Sequence, residues 1–401
     1  MRFLMVCMQF PTGGDHSYMT TELADALVDA GHEVEVLFYD WNATDPVAVT
    51  DHVTANGIRV VRCAPPAISR FGELVRKVSK LLLGRRHAAA VARRHFNLAS
   101  FDAFITWMPA IAVAPLVRQA VHAGIPYRLL YIWDFFPWHF YEIGRMPGGL
   151  LFHLARRAEE RLLATFTAIF CTLPGNAAYL RSHYPVRADQ RVIVTPIWSR
   201  ISAPSPGDRE AIRASHDLPA TAPIAVFGGQ FMEGRGFEQM LDAAHAAGEA
   251  RSPLLFLFVG DGRLASALHA RAATEPNVHV LPGMPREAYL ELLTACDVGM
   301  VVTVPGVSSF AIPTKTIDYL RAGLPVIAAV EQGSDFPAIL EHYRVGTTVP
   351  FGEIDAFWRE AARLATDAYA RAVASEGGKA CLAEVFDVRH AVAAITEAVR
   401  P

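Results

Sequence analysis

Residues 305–331 read PGVSSFAIPTKTIDYLRAGLPVIAAVE, and this stretch decides the fold. Its loop leads into a short helix, predicted over residues 314–322, with Gly323 just beyond the helix end. The apolar run from Leu324 to Ala329 then predicts a buried strand. A helix followed at once by a buried strand is the repeating unit of a parallel α/β sheet, so we expect the rest of the chain to repeat it.

The start of the predicted helix suits an anion. Unpaired backbone N–H groups and a partial positive charge lie there, and Lys315 adds a full charge. Asp318 follows one turn later, on roughly the same face. A positive seat followed by a lone carboxylate fits a nucleotide diphosphate whose ribose hydroxyls donate to the carboxylate. An ordinary α/β unit with a solvated Lys and Asp explains the same residues, and this stretch alone does not separate the two.

The pattern PTKxxDYLxAGxPV, which starts at Pro313, resembles the donor-binding segment of GT-B glycosyltransferases of family 4. The branch that builds bacterial surface polysaccharides has PSKxxEYxAAGxPV there. The family's Glu corresponds to Asp318. Many members carry another Glu eight residues earlier, where this chain has Phe310. The resemblance implies an α/β protein of two Rossmann-like domains that face a cleft, and transfer with retention of anomeric configuration.

The chain length indicates how these domains divide. With 401 residues the chain is too long for one hydrophobic core. We expect an N-terminal acceptor domain over residues 1–198, a Pro-rich linker region over 199–222 and a nucleotide-sugar donor domain over 223–385. The resemblance implies that a last helix, over 386–401, crosses back to the first domain.

Composition excludes several classes of protein. The net charge of −3 gives no sign of a nucleic-acid partner. The sequence shows neither a signal peptide nor an apolar run of transmembrane length. The cysteines lack metal-site spacing and predict reduced core residues of a cytoplasmic protein. They are Cys7, Cys63, Cys171, Cys296 and Cys381.

The N-terminus predicts the opening of a doubly wound sheet. A buried strand, Phe3 to Met8, leads through a glycine-bearing loop to a helix that starts at Tyr18. Any βαβ turn can carry glycines, so the loop alone is a weak sign. The resemblance places Gly13, Gly14 and His16 on the acceptor side.

The segment from Arg70 to His95 carries eight Arg or Lys and one acid, Glu73. Leu residues recur at helical spacing, which predicts a basic amphipathic helix broken near Gly84. Such a helix can lie on an anionic membrane surface, which would place the protein at the inner face of the membrane. A helix packed on the sheet with a solvated basic face explains the segment equally well.

Residues 133–139 read WDFFPWH, with one carboxylate and one imidazole among aromatic rings. Asp134 follows a predicted strand, where ligands bind in open α/β sheets. Aromatic faces suit sugar rings, and an enclosed carboxylate suits acid or base chemistry. We therefore assign Asp134 and His139 as catalytic candidates, against the alternative of a buried aromatic cluster. The next helix, 150–164, carries Glu159 and Glu160 with several Arg, and we interpret these as surface ion pairs.

Residues 228–236 read GGQFMEGRG and are predicted to open a helix. Backbone N–H groups and one Arg in this order suit a diphosphate, although the spacing is neither that of a P-loop nor that of a dinucleotide fingerprint. With the resemblance, the predicted donor-binding residues are Gly229, Gln230, Arg235, Gly262, Pro285, Arg286, Ser309, Phe310, Ala311, Ile312, Lys315 and Asp318.

We therefore expect a glycosyltransferase of the hexosyl or N-acetylhexosaminyl class. It would move a sugar from a nucleotide sugar, a UDP-sugar, to a hydroxyl of a saccharide or lipid-linked saccharide, with no metal and no separate cofactor. Two alternatives remain. A sugar-nucleotide 2-epimerase shares the fold, and a non-catalytic nucleotide-sugar binder would account for Phe310 in place of Glu. An apolar Phe310 would also suit a deoxy or N-acylated donor sugar.

Overall fold

The computed structural model describes residues 1–11, 18–41, 43, 48–65, 79–202, 207–303, 312–330 and 334–400. Within these residues the first sheet has the strand order β3-β4-β2-β1-β5-β6-β7-β8. Only the β3–β4 pair is antiparallel. The strands are β1 Arg2–Cys7, β2 Glu33–Tyr39, β3 Thr50–Val53, β4 Arg59–Cys63, β5 Ala103–Trp107, β6 Tyr127–Ile132, β7 Ala168–Cys171 and β8 Arg191–Val194.

The second sheet has the order β11-β10-β9-β12-β13-β14, and its strands run parallel. All five residues of β9, β10, β12 and β13 are buried, as expected for parallel strands covered on both faces. The strands are β9 Ile224–Gly228, β10 Leu255–Val259, β11 Val278–Leu281, β12 Val298–Val302, β13 Val326–Val330 and β14 Gly346–Pro350.

Helices connect the strands of both sheets. Those before β9 are α1 Met19–Asp29, α2 Arg85–His95, α3 Ala114–His122, α4 Trp138–Glu142, α5 Leu150–Leu163, α6 Pro174–His183 and α7 Arg209–Ser215. The later ones are α8 Phe237–Glu249, α9 Ala265–Ala272, α10 Arg286–Thr294, α11 Lys315–Arg321, α12 Phe336–His342, α13 Ile354–Thr366, α14 Ala368–Cys381 and α15 Val388–Ala398.

The chain divides into two compact units. The first contains Met1–Pro196 together with Val388–Pro401, and the second is Ile197–Asp387. Helix α15 lies in the first unit, where Arg191 donates from Nη1 to the Glu397 carbonyl at 2.7 Å. Region 199–222, predicted as a linker, lies in the second unit. Its α7 is held there by Arg213, whose Nη2 lies 2.9 Å from Oδ2 of the buried Asp297.

The basic segment is described only from residue 79 onward. A π-helical turn, Lys80–Gly84, leads into α2, whose Ala88, Ala89, Val91 and Ala92 are buried. Lys80 turns inward and donates to the Trp41 carbonyl at 2.7 Å. The packed-helix interpretation therefore holds for this part, although Arg86, Arg93 and Arg94 stay exposed. Among the described helices, none is long and apolar enough to cross a membrane.

The cysteines occupy core positions, as predicted. All five are buried and unpaired.

Candidate functional site

Two glycine-bearing loops of the second unit pack backbone against backbone. The first follows β9 and the second follows β10, so both lie at the carboxyl edge of the sheet. The Gly229 N–H donates to the Val259 carbonyl at 3.0 Å. Gly260 has φ +154, and a Cβ there would collide with the Gly229 carbonyl oxygen. Only glycine at position 260 lets the loops approach this closely.

Phe231 fixes the first loop onto the second. Its side chain is fully buried, and its N–H donates to the Asp261 carbonyl at 2.8 Å. Its own carbonyl accepts from the Leu264 N–H at 3.0 Å. A Cβ at position 262 would collide with the Phe231 peptide, which explains why this position, predicted to contact the donor, requires glycine. The loops therefore form a fixed backbone surface beside β9.

Lys315 extends toward this surface from the start of α11. Its Nζ lies 3.3 Å from the centroid of the Phe227 ring and 3.9 Å from the position that a Cβ on Gly229 would occupy. Burial, and then the charge of Arg235, hold the pKa of Lys315 well below its usual value. The structure thus brings together Gly229, Arg235 and Lys315, three of the residues predicted to bind the donor.

Asp318 is not the lone carboxylate that the sequence suggested. It is 8% exposed, and Arg286 donates from Nη2 to its Oδ1 at 2.7 Å. Arg286 is the first residue of α10, directly after Pro285. The two residues were predicted separately as donor contacts, whereas the structure joins them as an ion pair between α10 and α11.

Two tyrosines support Gly228 from below, and the sequence analysis missed both. The Gly228 N–H donates to the Tyr319 hydroxyl at 3.2 Å, which donates to the Met300 carbonyl. A Cβ at Gly228 would collide with the Tyr289 hydroxyl. Burial raises the pKa of both phenols above their usual value, so both stay neutral. The Tyr after Asp318 in the family pattern was the available signal for Tyr319.

Asp134 follows β6 in the first unit, as predicted, but it is exposed rather than enclosed by aromatic rings. Burial, and next the charge of Asp134, raise the pKa of Tyr18 to about 12. Tyr18, just before α1, is therefore near enough to Asp134 to feel its charge. The neighbouring rings pack elsewhere: Trp133 lies on Trp107, with centroids 5.6 Å apart, and Phe135 lies on Tyr179, with centroids 4.8 Å apart.

His139 lies in α4, where its N–H donates to the Phe135 carbonyl at 2.7 Å. Its Nδ1 is buried and has no hydrogen-bond partner in the described part of the chain. No hydrogen bond among the described residues joins His139 to Asp134. The structure therefore places both catalytic candidates at one segment without coupling them.

Glu159 is a buried carboxylate that the sequence analysis took for part of a surface pair. It has no exposed surface, and it accepts from the Ala110 and Ile111 N–H groups at 2.5 and 2.8 Å. Burial raises its pKa to about 7, against these hydrogen bonds, which lower it. Only Glu160 pairs with Arg156, at 3.5 Å. Glu159 therefore fixes the turn after β5.

The remaining predicted residues fall into two groups. Gln230 is exposed on the first glycine loop, and Ile312 is 2% exposed just before α11. Gly13, Gly14, His16, Ser309, Phe310 and Ala311 lie outside the described residues. Within the described ranges, no three His, Cys, Asp or Glu side chains are grouped to hold a metal ion.

Comparison with known families covers both units. The glycosyl transferase 4-like domain matches residues 16–198, and the glycosyl transferases group 1 domain matches residues 222–367. The chain is a family 4-like glycosyltransferase. A curated relative of this glycosyltransferase is WcaI of Escherichia coli K12, a glycosyl transferase assigned to colanic acid biosynthesis. It is 23% identical over 81% of this chain and 82% of that one.

Solved structures share the fold of this glycosyltransferase. Sucrose-phosphate synthase from Thermosynechococcus elongatus superposes with a TM-score of 0.73 and 17% identity, over 99% of this chain and 97% of that one. Anabaena HepE, solved in complex with UDP, superposes with a TM-score of 0.68 and 15% identity, over 99% of both chains. The two-domain GT-B architecture is therefore confirmed, and neither alternative function is favoured.

Proposed function

We propose that the second unit binds a nucleoside diphosphate sugar, a UDP-sugar, through Lys315, Arg235 and the Gly229 backbone. The sugar is transferred to a hydroxyl of a saccharide or lipid-linked saccharide. One observation carries the proposal: Lys315 reaches from the start of α11 to the Gly229 backbone, where the charge of Arg235 adds to burial in lowering its pKa. Two like charges at a partly buried position are unfavourable until an anion joins them.

A diphosphate meets the needs of this pair. It carries two negative charges, and Arg235, exposed on its loop, can reach one phosphate with a bidentate contact. Charge grows on the leaving diphosphate as the glycosidic bond breaks, so both cations stabilise the transition state. This function requires no metal and no separate cofactor.

The ion pair of Arg286 and Asp318 suits the nucleoside. Arg286 holds the Asp318 carboxylate in place at 2.7 Å, so the carboxylate is oriented before a ribose hydroxyl arrives. The loop before α10 would hold the base through backbone groups. UDP is the preferred nucleotide because HepE, which shares the fold, was solved with it.

The acceptor-side residues belong to the first unit. Asp134 is exposed at the carboxyl end of β6, and His139 offers a buried Nδ1 without a partner among the described residues. Either side chain could take the proton of the attacking hydroxyl, as could the departing phosphate. Gly13, Gly14 and His16 would complete this side, and transfer would proceed with retention, as in the resembling family. We place the enzyme in the cytoplasm, at the inner face of the membrane.

A thermal-shift panel of UDP, GDP, dTDP and ADP tests the donor site. A ligand present at about 100 times its Kd raises the melting temperature by about 5 °C. We expect this shift with UDP for the wild type and its loss in Lys315→Met and Arg235→Ala. The matched control is Arg263→Ala, since Arg263 lies on the second glycine loop but pairs with Glu233. A wild type that responds to none of the four would refute the donor site.

A further inference from the structure

The N-terminal half of α5 exposes leucines to solvent. Leu150 and Leu151 are each 75% exposed, and Leu154 is 54% exposed. The opposite face of the helix is buried through Phe152, Glu159, Leu162 and Leu163. Three adjacent unpacked leucines on a helix that is otherwise well seated are unusual on a soluble surface, where they mark an interaction site.

Cations follow the leucines along the same face. Arg157 and Arg161 are seven and eleven residues beyond Leu150, which brings them to the same side of the helix. Both are exposed, and neither takes part in an ion pair in the described chain. The exposed face therefore changes from apolar to basic over about 16 Å of helix.

Helix α4 extends the apolar part. Phe140 is 37% exposed and Tyr141 is 46% exposed. A Cβ on Gly148, two residues before Leu150, would lie 2.9 Å from the Tyr141 ring, so α4 borders the exposed start of α5. We call this surface, made of Phe140, Tyr141, Leu150, Leu151, Leu154, Arg157 and Arg161, the leucine surface.

We propose that the leucine surface docks the glycosyltransferase on an anionic phospholipid bilayer. The leucines and the two aromatic rings enter the boundary between headgroups and acyl chains, while Arg157 and Arg161 meet lipid phosphates. The leucines precede the arginines along one face of α5, so the helix enters the interface obliquely, with its first turn deepest.

Charge complementarity selects a bilayer over a second copy of the chain. If two copies of the chain met through the leucine surface, Arg157 and Arg161 would need acidic partners on the other copy. The leucine surface contains no acidic residue that could serve. An anionic leaflet attracts arginines close to its surface, so Arg157 and Arg161 gain a counterion there. Tyr and Phe beside leucine are also the residues that settle at a headgroup boundary.

Leu82 and Leu83 can provide a second contact. They are 44% and 47% exposed at the turn before α2. Helix α2 precedes β5 and α5 precedes β7, so both helices begin at the carboxyl edge of the first sheet. Docking would therefore place this edge, with Asp134 and the His139 helix, toward the lipid. This consequence rests on the proposed use of a lipid-linked acceptor, whereas the docking itself does not.

Cosedimentation of the full chain with vesicles tests docking without donor or acceptor. We expect binding to phosphatidylcholine vesicles that contain about 30% phosphatidylglycerol and little binding to phosphatidylcholine alone. Leu150→Ser with Leu151→Ser, and separately Arg157→Glu with Arg161→Glu, should each weaken binding about tenfold or more. The controls are Tyr369→Ser, an exposed aromatic of the second unit, and Arg93→Glu with Arg94→Glu on α2.

Several results would overturn the proposal. Undiminished binding of the leucine variant would do so, as would loss of binding only in the Arg93 and Arg94 variant, which would move the contact to α2. A leucine variant that turns a dimer into a monomer in sedimentation velocity, with vesicle binding unchanged, would identify the surface as a contact between copies. The UDP-induced thermal shift, measured on the same variants, reports on the donor site independently and should be retained.

Discussion

Lys315 is expected to titrate with its ligand. In the free protein its pKa is lowered by burial and by Arg235. A bound diphosphate supplies two negative charges and raises that pKa. Between the two values binding takes up a proton, so donor affinity falls as pH rises through this window.

Calorimetry with UDP-glucose measures this uptake. The diester has no terminal phosphate that ionises near neutral pH, so the proton comes from the protein. Heats recorded between pH 7 and 10 in buffers of different ionisation enthalpy should show uptake in the wild type and none in Lys315→Met. Equal proton uptake by the two proteins would assign the titration to another group.

Glu159 gives the first unit a pH-dependent stability. Its folded pKa of about 7 exceeds the usual 4.5, so its contribution is complete below pH 4.5 and is lost as pH rises to 7. The loss amounts to about 3 kcal/mol. Glu159→Gln cannot titrate, and its amide loses one of the two N–H contacts, which costs about 1 to 2 kcal/mol.

The melting temperature of Glu159→Gln should therefore approach or exceed that of the wild type as pH rises from 5 to 8. Glu160→Gln is the control, because its carboxylate pairs on the surface with Arg156. A difference between Glu159→Gln and wild type that stays constant over this range would contradict the raised pKa.

Among the elements, the paired glycine loops are the most sensitive to a methyl group. Gly260→Ala would force its Cβ into the Gly229 carbonyl and separate the loops. We expect a lower melting temperature and loss of the UDP-induced shift. The matched change is Gly248→Ala inside α8, where the nearest atom would be 3.6 Å from the Cβ. It should leave the UDP shift intact and stabilise by about 0.5 to 1 kcal/mol. Equal effects of the two changes would contradict the close packing.

Local sequence patterns predicted most of the central strands. Buried apolar runs and glycine turns marked β1, β9, β10, β12 and β13 because their signals lie within a few residues. The antiparallel edge, β3 and β4, and the last strand, β14, received no prediction. Their burial is incomplete, so the apolar run that marks a central strand is missing.

Contacts across long sequence separations could not be predicted in the same way. Arg286 meets Asp318 over 32 residues, and Glu159 meets Ala110 over 49. Two adjacent acids on a helix look alike in sequence, although Glu159 faces a turn and Glu160 faces solvent. Local chemistry pointed to Lys315 and Arg235, but an ordinary α/β turn explained them equally well, and only the family resemblance favoured a phosphate site.

At the scale of the whole molecule, the C-terminal helix α15 stabilises the first unit, although the sequence of the second unit precedes it. Ile395 of α15 is fully buried, and α15 packs against α1. Ile395→Ala should destabilise the first unit by about 2 to 5 kcal/mol. Calorimetry should show one transition lowered while UDP still raises the melting of the second unit; loss of the UDP response would contradict this division.

The path of the chain also delays completion of the first unit during synthesis. The second unit is a continuous run of residues 197–387, and the first unit is completed only by Val388–Pro401. A ribosome that adds about 5 to 20 residues each second needs about 10 to 40 s for that run. During this time the first unit lacks α15, so the surface of α1 that α15 covers stays exposed while the second unit folds. A nascent chain of this protein would present that bare face to chaperones until the last helix emerges.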